Sequence, residues 1–310
     1  MLQLFGKILR YYICSLKKIQ FTVWLYTLAA MVFWGLSFIW TSLLFKYYQP
    51  ITIIFIRLII SSVFLFLAVF LTHSFTPIRK KDIPVIILAA VFNPFLYFLM
   101  ENYGLMYTSP AIAAVIIGTI PVFAPITGYL AFKEKLRWYN IAGILLSFTG
   151  VVMMLITPDF KISVNPAGLL FLAGAVMASL IYAVGLKKLT ARYSSVTIIS
   201  WQNLTGIFLF LPFFLIFEMK DAIRVPLNTT IITSFLFLSI LASSLSYVFY
   251  VKAIKNLGIG KASIFTNLIP VFTAIASFFL LGELFTFQKI AGILIVIFGV
   301  VISQISSREK

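Results

Sequence analysis

The stretch that decides the fold is "IPVFAPITGYLAFKEKLRWYNIAGILLSFTGVV", Ile120–Val152, because the chain repeats it as "IPVFTAIASFFLLGELFTFQKIAGILIVIFGVV", Ile269–Val301. At a shift of 149, Pro121–Val152 aligns with Pro270–Val301 without a gap, and 13 of the 32 positions are identical. The shared points include Pro121/Pro270, Glu134/Glu283, "IAGIL" at Ile141 and Ile290, and "GVV" at Gly150 and Gly299. A weaker echo joins "FWGLSF" at Phe33 to "IYAVGL" at Ile181. A gapless run of this length marks an internal duplication. Both copies place a proline inside an apolar stretch, where it removes a backbone hydrogen bond and bends the helix. In lipid the freed carbonyl must find a neighbour, water or ligand. Pro121 and Pro270 are therefore structural or gating positions, either static kinks or hinges.

Composition sets the class. The chain is 62% hydrophobic and 10% charged, against about 25% charged in a soluble domain. Such a chain has lipid as the solvent for most of its length. The net charge of +16 comes from Lys and Arg clustered between apolar runs, the pattern of cytoplasmic loops rather than of a nucleic-acid surface. The lone Cys14 excludes an intrachain disulfide and a Cys-based metal site, and the lone His73 lies in a basic loop. No metal or cofactor is expected. Residues 1–21 read as a basic, partly amphipathic segment at the membrane interface rather than a cleavable signal.

Ten segments are long and apolar enough to span a bilayer: 22–44, 50–72, 83–103, 109–131, 138–156, 167–186, 195–217, 229–251, 259–281 and 287–305. With the N-terminus inside, 18 Lys and Arg fall on the cytoplasmic side and 5 outside, leaving Arg57 within a span. That split predicts an all-α, multi-pass membrane protein with both termini cytoplasmic. Each half, 22–156 and 167–305, then holds five spans. Five is odd, so the second half must enter the membrane from the opposite side. The loops agree, since "FKEKLR" after the fourth span is basic while "LGELFT" after the ninth is not. Two inverted five-helix repeats form a transporter architecture, with the site near the midplane between them.

The run "YTSPAIAAVIIGTIPVFAPITGYLAFKEKLRWYNIAGILLSFTGVVMML" resembles the EamA family of the drug/metabolite transporter superfamily, and "LGIGKASIFTNLIPVFTAIASFFLLGELFTFQKIAGILIVIFGVVIS" repeats the pattern. "FWGLSF" and Arg57 also resemble the family's opening pattern. The resemblance runs from about Phe21 to Ser306. It implies ten helices in two inverted repeats, a central cavity, and alternating access without a bound cofactor or ATP. It also implies substrates such as amino acids, small metabolites and toxic compounds, often exported across the cytoplasmic membrane.

Polar groups in lipid usually face protein or a water-filled cavity. In the third span Asn93, Tyr97 and Glu101 are spaced i, i+4, i+8 and share one helix face. In the eighth, Ser243, Ser246, Tyr247 and Tyr250 form a second stripe. The first span adds Trp34, Ser37 and Thr41, the sixth Tyr182, and the ninth Asn267, one turn before Pro270. These are the candidate substrate-binding residues, although Ser, Thr and Asn also join helices by hydrogen bonds. Arg57 lies about 10 Å below the outer end of the second span, at roughly 1.5 Å per residue from Pro50. Glu101 lies near the outer end of the third, so a salt bridge between them is geometrically possible. Three roles are open to Glu101: partner of Arg57, reader of a substrate ammonium, or proton carrier. Glu134 and Glu283, at helix ends, fit loop geometry better than substrate binding. Gly143/Gly150 and Gly292/Gly299 predict close helix packing, within one chain or between two protomers, so monomer and homodimer both fit.

The leading function is a secondary carrier exporting a small metabolite, with amino acids the best choice. An organic-phosphate or nucleotide-sugar carrier ranks lower, because phosphate demands cavity Lys or Arg and only Arg57 is available. A channel lacks its repeated charged ring or filter motif. An enzyme lacks a catalytic constellation, with no intramembrane His and no HExxH.

Overall fold

The computed structural model describes residues 2–71, 76–135, 137–155, 165–281 and 287–303. His73, Glu283 and the terminal Arg308 and Lys310 lie outside the described residues. All regular structure among the described residues is helical. In chain order the helices are α1 (Leu2–Leu44), α2 (Pro50–Leu71), α3 (Lys80–Met106), α4 (Pro110–Phe132) and α5 (Trp138–Leu155). There follow α6 (Pro166–Thr190), α7 (Ser195–Ala222), α8 (Thr229–Leu257), α9 (Ile259–Leu280) and α10 (Phe287–Ser303). Their starts follow local chemistry. Ser109, Asn165, Ser194 and Asn228 each cap a helix by accepting a backbone N–H, and Pro110 and Pro166 sit in first turns, where no donor is lost.

Eight of these helices are long and apolar enough to cross a membrane, the first of them over Phe21–Leu44. The apolar part of α10, Ile290–Ile302, is shorter. Large side chains such as Phe70, Leu170, Phe279 and Trp138 stand outward and exposed. Apolar surface spread so widely suits hydrocarbon, not water. The chain is a multi-pass membrane protein.

The main helix pairings join one half of the chain to the other: α1 with α8, α3 with α6, α2 with α7, α4 with α9, and α5 with α10. Exchanging the two halves, so that α1 becomes α6 and α3 becomes α8, leaves that set unchanged. The α5–α10 contact answers one question left open by the sequence. A Cβ at Gly150 would lie 2.7 Å from the Gly292 carbonyl oxygen, and one at Gly299 would lie 2.8 Å from that of Gly143. The four glycines are used within the chain, letting two backbones touch.

Five spans are irregular: α7 carries a π-helical stretch over Phe214–Glu218, and the breaks in the other four shape the interior. In α4 the regular helix is interrupted at Gly118–Thr119, within the turn before Pro121. In α9 a 3-10 turn, Phe265–Asn267, precedes Pro270 in the same way. The prolines thus act a turn back, where their missing N–H leaves a carbonyl unclaimed. The two breaks touch, since a Cβ on Gly118 would be 3.3 Å from Pro270 Cγ. A third break falls at Asn93–Pro94 in α3, where Asn93 has φ −149° and ψ 117°. In α8 a π-helical stretch spans Phe237–Leu245.

Candidate functional site

The breaks in α3, α4 and α9 surround a central cavity of about 50 Å³. Its wall carries Trp34, Arg57, Asn93, Tyr97, Glu101, Tyr182, Tyr247 and Tyr250, with Ser37, Ser179, Ser263 and Thr266. Both halves contribute, and the apolar floor between α4 and α9 includes Ile120, Ala124 and Ile259.

Residues 93, 97 and 101 were expected on one face of a regular helix. The helix is not regular at Asn93, yet all three side chains reach the cavity. The extended backbone at Asn93 turns its amide toward α8, where Nδ2 donates to the Tyr247 hydroxyl at 3.2 Å. One turn on, the Tyr97 hydroxyl donates to Glu101 Oε1 at 2.8 Å. The second carboxylate oxygen keeps its acceptor capacity.

Arg57 is 3% exposed, and its Nε donates to Ser243 Oγ at 2.8 Å. Its guanidinium carbon lies 4.0 Å from the centroid of the Phe98 ring, a cation–π contact. The salt bridge that depth allowed between Arg57 and Glu101 is not made within 4.0 Å; among the described residues the ion pairs are Arg192–Asp82 and Arg224–Asp221. An acid and a base share one cavity without pairing.

Aromatic rings form the opposite wall. Trp34 meets Tyr247 and Tyr250 edge-on, both with centroids 5.0 Å away. Trp34 Nε1 is held by the Ala242 carbonyl at 3.1 Å. The Tyr182 hydroxyl donates to Gln202 Oε1 at 3.1 Å. These bonds fix ring orientations and leave ring faces and edges as contact surface.

Several predicted residues fall elsewhere. Ser243 and Ser246 are buried off the cavity, donating to the Leu238 and Leu241 carbonyls at 3.0 and 2.8 Å. The wide π turns of α8 turn these hydroxyls back onto their own helix, so the serine half of the stripe serves the backbone. Ser243 still supports the cavity through Arg57. Thr41 is buried away from the wall. Asn267 points out of the cavity, its Nδ2 donating to Ser147 Oγ of α5. Pro121 and Pro270 are buried behind the wall. Arg57, foreseen as structural, is on the wall itself. Sequence reading passed over Ser179 and Thr266, which carry no pattern beyond helical spacing from Tyr182 and Ser263.

The chain matches the model of the EamA-like transporter family twice, over residues 22–156 and 166–304. It is similar to an uncharacterised transporter of Archaeoglobus fulgidus, 26% identical over 280 residues, covering 90% of this chain and 97% of that protein. It is also similar to the uncharacterised transporter YetK of Bacillus subtilis, 26% identical over 259 residues and covering 82% and 78% of the two chains. A solved crystal structure has the same fold, with a TM-score of 0.77 at 15% identity over 91% of this chain and 98% of its own. With a family model covering both halves, the chain belongs to the EamA-like transporter family, whose members are transporters and not enzymes.

Proposed function

We propose that this protein is a secondary carrier exporting a small zwitterionic metabolite, an amino acid or close relative, across the cytoplasmic membrane. The observation that carries the reading is the unpaired juxtaposition of Arg57 and Glu101 in one cavity. A buried guanidinium and a half-buried carboxylate that make no ion pair with each other are costly. A ligand with a carboxylate for the Arg57 η nitrogens and an ammonium for Glu101 satisfies both at once. Trp34, Tyr247 and Tyr250 then face the ligand's side chain. A phosphate-bearing substrate would find a single cation, and a carboxylate opposing it.

The cavity as described is narrow, so passage requires the halves to rearrange by alternating access. Two inverted five-helix repeats, all ten helices crossing, suit this, and the exchange-invariant pairing of helices supports that arrangement. Trp24, near the start of the first span, and Val301, near the end of α10, line one groove. That supports both termini on the same, cytoplasmic side, with the first repeat over 22–156 and the second over 167–305. The glycines being used internally, a monomer suffices. The test is counterflow in proteoliposomes loaded with a labelled amino acid. External amino acid should exchange, while its decarboxylated amine and its deaminated acid should exchange about tenfold less or worse. Equal exchange of the amine would overturn the two-charge reading.

A further inference from the structure

Glu134 is not on the cavity wall, yet its surroundings are built to hold a carboxylate. It follows α4, where Lys133 adopts a left-handed conformation (φ 56°) that turns the chain back on the helix. Its two oxygens accept backbone N–H groups from the opposite half: Oε1 from Ile259 at 3.1 Å and Oε2 from Gly260 at 3.2 Å. These are donors from the first turn of α9, groups that a helix cannot satisfy itself.

Two glycines make the room. A Cβ at Gly128 would lie 2.8 Å from Oε2, and one at Gly258 would lie 2.9 Å from Oε1. Gly258 also has φ +86°, a conformation that L side chains rarely adopt. The same turn is gripped from its other side. Lys187, in the last turn of α6, donates from Nζ to the Ile254 carbonyl at 2.8 Å, at the end of α8. The acid thus holds the start of α9 and the base holds the end of α8, each with the sign the helix terminus favours.

What the clamp holds is the end of the cavity. Ile120 and Ala124 of α4 and Ile259 and Ser263 of α9 line the cavity just inside it, where the two helices pack together. Passage on this face requires these half-helices to part, and they cannot part while Glu134 spans them. We infer that Glu134 is the latch of the cavity's gate on the face carrying Lys133, Lys135 and Lys187, a positioning residue that biases which face is open. This rests on the reading of the cavity as the transport route.

The test measures opening without substrate, so an error in the choice of amino acids leaves it readable. In a Cys14→Ser background, Ser263→Cys is labelled by a membrane-impermeant maleimide in intact cells and in inverted vesicles. Glu134→Ala should raise labelling from the Lys133 face about tenfold and lower it from the other face, as expected for a two-state shift. Lys187→Met should change labelling in the same direction by less. Glu134→Asp tests for rescue and should restore much of the parent rate. Equal rises from both faces would mean a merely loosened fold, and unchanged rates would mean no latch; either overturns the inference. Should Glu134→Ala fail to fold, Lys187→Met decides by the same signs.

Discussion

The helices α3 and α8 occupy corresponding places in the two halves, yet they give the cavity opposite chemistry. From α3 come a carboxylate, Glu101, and the phenol that holds it, Tyr97. From α8 come two neutral rings, Tyr247 and Tyr250, packed on Trp34. Each departs from the α-helix in its own way, α3 by a break at Asn93–Pro94 and α8 by π turns through Leu245. Duplication supplies a frame with two facing walls. Divergence of the walls gives the cavity a polarity, which under the proposed function lets a substrate sit one way round. Carrying the comparison to α4 and α9 gives the contrary lesson: there the two breaks match and meet at Gly118 and Pro270. On the proposed reading, parts that recur serve the movement and parts that differ serve recognition.

The largest effect should come from erasing the charge on the α3 wall. Glu101→Gln keeps the size and one acceptor but removes the partner of an ammonium. Loss of a charge-assisted contact is worth about 2–3 kcal/mol, so counterflow at low substrate concentration should fall about a hundredfold. A different outcome assigns a different role. If exchange survives and only dependence on the pH gradient disappears, Glu101 carries a proton rather than an ammonium. The contrast between the walls would then concern coupling, not recognition.

How far the sequence went follows the same division. The repeat, the helical character, eight of the spans and the glycine seam were legible because they depend on apolar length and on small residues at fixed spacing. The α3 stripe was legible for a partly mistaken reason. Spacing of i, i+4, i+8 assumes an unbroken helix, and Pro94 breaks it, yet the extended Asn93 still reaches α8. The α8 stripe failed at Ser243 and Ser246 because π turns are not encoded by spacing; an extra residue per turn rotates everything around it. Asn267 illustrates a third limit. A polar residue next to a helix break can satisfy a neighbouring helix as readily as a ligand, and here it takes Ser147. Arg57 was visible as a buried charge, but only the structure shows it resting on Ser243 and Phe98 rather than on Glu101.

A smaller effect should follow from cutting the link between the walls. Tyr247→Phe retains the ring against Trp34 and removes the acceptor for Asn93 Nδ2. Leaving that amide without its partner costs about 1 kcal/mol, or roughly fivefold in counterflow. Asn93→Ala in the Tyr247→Phe background should add little, because the shared bond is already gone. Full additivity of the two substitutions would show that the walls act independently.

The smallest effect should come from Tyr250→Phe, which probes the aromatic wall without touching the bond between walls. Its ring stands edge-on to Trp34 at 5.0 Å, and both line the cavity. If that wall recognises the ligand's side chain through ring surface, deleting the hydroxyl changes little: about twofold for an amino acid with an apolar side chain, the scale of a few tenths of a kcal/mol. Tyr250→Ala should do more, because it removes ring area that no neighbour replaces. Apolar amino acids should therefore lose affinity in Tyr250→Ala more than small polar ones, while both lose it alike in Glu101→Gln. Matching losses for the two classes in both variants would erase the distinction, since a ring wall that does not read the side chain only fills space.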